Sequence, residues 1–245
     1  MPKIQSFNIN FDDYSLKNIA RKILKNKKSF RIVFTVNVDH LRLYKKNPIL
    51  KKYHTKSDLI TCDSKILRMI SPFFGNKITN VVTGSDLTNF LFKSKMIKKK
   101  KILVVGPTYK EISILEKVVK LDINSYYPDM NFFKSKSKIN RAINIISKSK
   151  PDIIFLGLGF PKQEIFANKL RKKISKNCIC LCIGASLDFL SRKQVRAPYI
   201  FQFLAFEWLW RLTKNPIRLG PRYFKDFIFI LLLFFNKLFG ANYKH

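Results

Sequence analysis

Residues 151 to 164, Pro-Asp-Ile-Ile-Phe-Leu-Gly-Leu-Gly-Phe-Pro-Lys-Gln-Glu, place an unbroken apolar run, a glycine-rich turn and polar side chains in direct succession. Ile153 to Leu156 lack polar alternation, as a parallel strand covered on both faces does. Gly157 and Gly159 allow a tight bend or a close backbone approach, and Pro161 pre-sets the first turn of a helix. The free N–H groups at Lys162, Gln163 and Glu164 then suit an anionic group, a diphosphate in particular. The same Gly-x-Gly also makes α/β turns that hold no ligand. Other strand ends carry polar groups too: Thr35-Val36-Asn37-Val38-Asp39-His40, and Cys62-Asp63-Ser64, where Asp63 sits just past a short strand. Thr83-Gly84-Ser85-Asp86 turns into a helix, and Ser85 or Asp86 could simply cap it. Gly106 and Gly184 close two further apolar runs.

These groups need a scaffold that gathers strand ends. Hydrophobic patterning predicts strands over Ile4–Asn10, Arg31–Val38, Asp58–Thr61, Ile78–Val82, Ile102–Val105, Ile123–Tyr127, Asp152–Leu156 and Cys178–Ile183. Helices are predicted between them, over 15–25, 40–52, 109–120, 137–148 and 161–174. That alternation implies an α/β fold, a Rossmann-like and mostly parallel sheet flanked by helices, which binds ligands at the C-terminal ends of its strands. The sheet domain is expected over 1–190 and a basic, aromatic helical C-terminal appendage over 191–245.

The chain has 245 residues, enough for one sizeable core, and 47% of them are hydrophobic. Lys and Arg number 48 against 15 Asp and Glu, a formal charge of +33 that calls for an anionic partner or surface. A lysine-rich compositional bias is the plainer source of many of these charges. Cys178, Cys180 and Cys182 alternate, so a strand puts all three thiols on one face, too linear for a tetrahedral metal site. Core thiols in a reducing compartment are expected. His54 and His245 show no metal spacing, whereas His40 ends the polar run after a strand. Residues 1–10 hold no apolar signal segment, so a cytoplasmic protein is expected.

From Ser191 onward Arg, Lys, Trp and Phe mix with few acids, a pattern that suits an anionic lipid interface as well as a helix packed on its own domain. The apolar run Phe227 to Phe235 is nine residues long. A bilayer span needs about 20.

The ordered set Thr35-x-Asn37-x-Asp39-His40, Cys62-Asp63-Ser64, Thr83-Gly84-Ser85-Asp86, Gly157-x-Gly159-x-Pro161-Lys162-Gln163-Glu164, Gly184, Arg196-Ala197-Pro198 and Glu207-Trp208-x-x-Arg211, followed by Arg218, Arg222 and Tyr223, closely resembles the WecG/TagA/CpsF glycosyltransferases over about residues 5 to 225. Ser64 departs from the Gly usual after the Asp. The resemblance implies transfer, with inversion, of an N-acetylmannosamine-type sugar from a UDP-sugar to a polyprenyl-diphosphate-linked sugar, on the inner face of the cell membrane. It implies that Asp63 is the general base and Thr35 its neighbour in the donor pocket. Substrate contacts are carried over to Asn37, His40, Gly84, Ser85, Asp86, Gly106, Gly159, Lys162, Gln163 and Glu164. Arg196 is also expected to touch substrate, and Arg211, Arg218 and Arg222 are expected at the lipid diphosphate or the leaving UDP. No metal and no cofactor is expected; an anionic membrane surface is expected as partner, nucleic acid is not, and a homo-oligomer is left open.

Chemistry read from the residues agrees in part. An inverting transfer needs one carboxylate to accept a proton, and Asp63 is better placed for it than Asp12, Asp13 or Asp122. No Asp-x-Asp pair occurs, so cationic and N–H donors must hold the diphosphate. Glu164 is read either as a binder of sugar hydroxyls or as a plain helix N-terminal carboxylate. Two alternatives stand beside this reading: the same fold transferring glucose or a ManNAc uronate, and a basic nucleic-acid-binding protein. The latter lacks a helix-turn-helix, zinc or RNP-type signature.

Overall fold

The computed structural model describes all residues except 1–2, 26–28, 130, 175–176, 192–194, 196, 199, 202–205 and 241–245. In chain order the elements are β1 (Lys3–Ser6), β2 (Ile9–Asp12), α1 (Leu16–Leu24), β3 (Arg31–Val36), α2 (Val38–Lys46), α3 (Pro48–Thr55), β4 (Leu59–Cys62), α4 (Lys65–Ile70) and α5 (Gly84–Lys93). They continue with β5 (Ile102–Val105), α6 (Tyr109–Val119), β6 (Asn124–Tyr126), α7 (Lys136–Ser149), β7 (Ile153–Leu156), α8 (Lys162–Arg171), β8 (Ile179–Cys182) and α9 (Ser186–Leu190), and close with α10 (Glu207–Lys214) and α11 (Pro216–Leu238).

Six strands form one parallel sheet in the order β4-β3-β8-β7-β5-β6, the expected α/β architecture. Ile153 to Leu156, like all of β3, β4, β5 and β8, is buried, because helices cover both faces. One core packs Val33, Val104, Phe155 and Leu181 under α1, α5, α6 and α9; the other packs Phe34, Leu103 and Ile154 under α7 and α8. Cys178, Cys180 and Cys182 all fall in the second core as buried free thiols, as their alternation requires.

Three predicted elements differ. Residues 4–10 form a hairpin rather than one strand, with Phe7 and Asn8 both at positive φ in a two-residue turn. The helix expected over 40–52 breaks at Asn47, whose side chain caps α3 with Pro48 at its first position. Ile78 to Val82 is not a strand: Ile60 N–H, facing the outer edge of β4, donates to Asp12 Oδ2 at 2.9 Å, so the edge is already taken. Only Val82 reaches β4, through Cys62 O and the Thr61 hydroxyl.

The C-terminal α11 lies against the sheet domain. Phe229 joins a third core with Ile9, Phe11, Leu41, Leu67 and Ile78, and Phe234 packs on Phe73 and Phe74. Arg42 of α2 is paired to both Asp39 and Asp226, and Arg222 sits 3.2 Å from Asp39, so charges clamp the helix beside its apolar contacts. The opposite face carries Ile217, Phe224, Leu231, Phe235 and Phe239, all exposed.

Candidate functional site

Parallel pairing sets the register of the strand ends. Val36 of β3 lies opposite Cys62 of β4, so Asn37 and Asp63 leave the sheet side by side, and Asp63 N–H donates to Val36 O at 2.7 Å. The half-buried Asp63 carboxylate accepts the first N–H of α5, from Gly84, at 3.3 Å. A helix N-terminus favours a carboxylate. Burial nevertheless wins: it pushes the Asp63 carboxyl up to about 7, Gly84 N–H opposes it, Glu207 of α10 adds to it, and His40 and Arg211 oppose it. A carboxyl poised there can take a proton near neutral pH.

Gly84 is required by close approach. A Cβ on it would lie 2.6 Å from Ser186 Oγ and 3.3 Å from Thr35 Oγ1, so α5 starts hard against the ends of β3 and β8. Thr83 caps α5 through Asp86 N–H; Ser85 and Asp86, expected as caps or ligand groups, instead occupy the first turn, with hydrogen bonds to the Thr83 hydroxyl. Thr35, expected in the donor pocket, is buried and donates to Cys182 O at 3.4 Å. It forms the floor beneath Gly84.

The glycine turns divide in the same way. Gly106, at φ 123°, faces the Gly157 carbonyl, which a Cβ would meet at 2.9 Å, so that glycine serves the junction of β5 and β7. Gly159, at φ 73°, has open space on its Cβ side. Lys162 is exposed at the start of α8. Gln163 and Glu164, expected to touch substrate, are only 3% and 2% exposed and turn inward. Gln163 Oε1 accepts Gly184 N–H at 2.9 Å, its Nε2 donates to Glu164 Oε1, and that oxygen stands 3.7 Å from His40 Nε2. Gln163 faces the end of β8 and Glu164 faces His40, while the body of α8 packs on α3, β3 and β8.

Of the expected arginines, Arg196 lies outside the described residues. Arg211 comes to Asp63's side of the molecule, its guanidinium 5.7 Å from the Phe189 ring and its buried Nε without a hydrogen bond among the described residues. Arg218 is exposed. Arg222 stands with its Nε 3.2 Å from Asp39 and 3.8 Å from Asp226, two carboxylates at the contact of α11 with α2, and its side chain is 37% exposed. The group that the sequence reading missed is Glu207. Its signal was present in Glu207-Trp208-x-x-Arg211, since residues four apart share a helix face and would reach the same carboxylate together.

Among curated proteins, the chain is similar to an N-acetylglucosaminyldiphosphoundecaprenol N-acetyl-beta-D-mannosaminyltransferase of Bacillus spizizenii, 29% identical over 176 residues, which is 70% of this chain and 66% of that protein. The chain thus spans just under two thirds of that relative. A Staphylococcus aureus protein of the same name is 23% identical over 232 residues, covering 89% of this chain and 87% of its own. The model of the Glycosyl transferase WecG/TagA/CpsF family matches residues 4–243, and the chain belongs to that family.

Proposed function

We propose that this protein is an inverting glycosyltransferase that moves an N-acetylmannosamine-type sugar from a UDP donor to N-acetylglucosamine carried on a polyprenyl diphosphate, working on the inner face of the cell membrane. The observation that carries the reading is Asp63: a carboxyl at a strand end, raised to about 7 by burial, under the N-terminus of one helix and beside Glu207 and Arg211 of another. The acceptor hydroxyl attacks the anomeric carbon as its proton passes to Asp63, the bond from that carbon to the UDP oxygen breaks, and UDP leaves with the bonding pair. Charge on the departing diphosphate falls to N–H groups and cations of the protein, with Lys162, Arg211 and Arg218 the candidates, and needs no metal ion.

The exposed stripe of α11 supports the lipid side of the reading. Ile217 is 93% exposed and Phe239 70%, a long apolar face on a protein of charge +33. No helix among the described residues is long and apolar enough to cross a membrane, so the stripe would lie in the interface.

UDP release from a panel of UDP-sugars, with and without a short-chain polyprenyl-diphosphate-GlcNAc and in the presence of a chelator, tests this. Acceptor-dependent release with UDP-ManNAc is expected; release only with UDP-glucose or a ManNAc uronate would change the donor, and release that the chelator stops would change the account of the diphosphate. No release with any donor would overturn the reading.

A further inference from the structure

Between the base and α11 runs a short segment that the chemistry above leaves idle. Asp63 is followed by Ser64, whose hydroxyl accepts Leu67 N–H at 3.2 Å and so caps α4, and the helix runs on into a 3-10 turn over Ser71–Phe73. Leu67 and Ile70 are buried in the core that also holds Phe229 of α11, which fixes the segment to the sheet domain. Other side chains of the same segment point outward. Met69 is 71% exposed and Phe73 52%, large apolar groups left in water.

Two contacts set their place relative to α11. The Phe73 ring meets Phe234 edge-on with centroids 5.5 Å apart, and Lys237 Nζ donates to Phe73 O. Phe234 has Leu231 three residues before it and Leu238 four after it, both exposed, and residues at those spacings are neighbours on a helix surface. Phe73 therefore adjoins the exposed stripe of α11, and Met69, one turn earlier, extends that stripe onto the sheet domain. Charge around the joint has one sign. Residues 64–80 carry Lys65, Arg68 and Lys77 with no Asp or Glu, and residues 227–240 carry Lys237 with none. An anionic bilayer offers an apolar interior and negative headgroups together, so it matches both properties of the joint.

We propose that the end of α4, through Met69 and Phe73, is a second lipid-contacting element, continuous with the outer face of α11, and that an anionic bilayer surface covers it. Lipid as the occupant rests on the function proposed above; the exposed joint does not. Ser64 and Met69 are separated by about 8 Å of helix rise. Contact at the turn thus holds the strand end that carries Asp63 near the headgroups, where a sugar joined to its lipid through a diphosphate is met.

The four cysteines are buried, so one exposed cysteine can carry a reporter. Met69→Cys, labelled with a polarity-sensitive fluorophore, should shift its emission to the blue on vesicles of equal parts phosphatidylglycerol and phosphatidylcholine, and nitroxide on the upper acyl chain should quench it. The same label on Asn144→Cys, exposed on α7 over the second core, should do neither. A silent Met69 label on vesicles that shift a Leu231→Cys label would confine lipid contact to α11 and overturn the proposal. So would an equal shift on phosphatidylcholine alone, or a shift without vesicles that grows with protein concentration, which would make a second copy the occupant. Met69→Glu should leave Tm unchanged and weaken binding to the anionic vesicles about 3- to 10-fold, and unchanged binding would overturn the proposal too. If the wild type transfers no sugar while the Met69 label shifts, the proposed function falls and the lipid surface stands.

Discussion

The two C-terminal helices are neighbours in sequence and opposites in attachment. α11 buries Leu219, Asp226 and Phe229 and is clamped by Arg42, whereas α10 has no buried residue at all. Yet α10 is the one whose Glu207 and Arg211 act on Asp63. A pinned helix thus carries a loosely held one over the base. Anchoring and the groups that act on Asp63 are assigned to different segments, and the latter sit on the weakly packed one.

The largest effect should fall on Asp63. Asp63→Asn keeps the shape and the Gly84 contact but cannot take a proton, and turnover should drop about 10²- to 10⁴-fold with UDP binding retained. The same substitution separates chemistry from stability. The Asp63 carboxyl is raised in the folded state, so folding holds its proton more tightly than the unfolded chain does between 3.8 and about 7. Stability attributable to that proton is therefore lost as pH rises through this window. Asn carries no such loss, so thermal melts should place the variant above wild type beyond neutral pH and level with it near pH 4. A variant that is less stable at every pH would mean that Asp63 anchors the site rather than being strained in it.

Arg42→Ala breaks the anchor instead. It leaves Asp39 and Asp226 facing each other with only Arg222 between them, at a cost of about 2–3 kcal/mol, and Tm should fall by about 4–10 °C. Unchanged stability would show that the apolar contacts of Phe229 and Phe234 hold α11 alone. The outer face is a third, independent feature. Leu231→Ser with Phe235→Ser touches no packed residue, so Tm should hold while binding to anionic vesicles weakens about 10- to 100-fold. Equal binding would move lipid contact away from α11.

How much of this the sequence revealed depended on the range of the interaction. The strand ends at Asn37, Asp63 and Gly159 were legible because parallel strands announce themselves by apolar runs and end at turn residues. The false strand at Ile78 to Val82 has the same local pattern, and only Asp12, 48 residues from Ile60, decides against it. The inward turn of Gln163 and Glu164 was hidden for a related reason: a helix start offers polar residues to ligand or to interior, and packing of α8 on α3 and the sheet chooses. The pairing of Arg222 with Asp39 was hidden too, because nothing local marks a residue 183 positions earlier in the chain as its partner.

The smallest and most discriminating effect concerns α10 itself. Glu207 makes Asp63 harder to ionise and Arg211 makes it easier, so their removal should act in opposite directions. A general base must be ionised, and kcat/KM should rise with pH through about 7 in the wild type. Glu207→Gln removes a neighbouring negative charge, so that limb should move to lower pH, by less than about one unit because water screens part of the interaction. Arg211→Ala removes a positive charge and should move it to higher pH, together with a loss in rate from the missing phosphate donor. Damage to folding would shift both variants the same way. If the limb stays fixed in both, α10 does not lie over Asp63 in the free enzyme, and the loosely held helix stands open there; if the limbs part, the weak attachment of α10 belongs to a helix that tunes the carboxylate it covers.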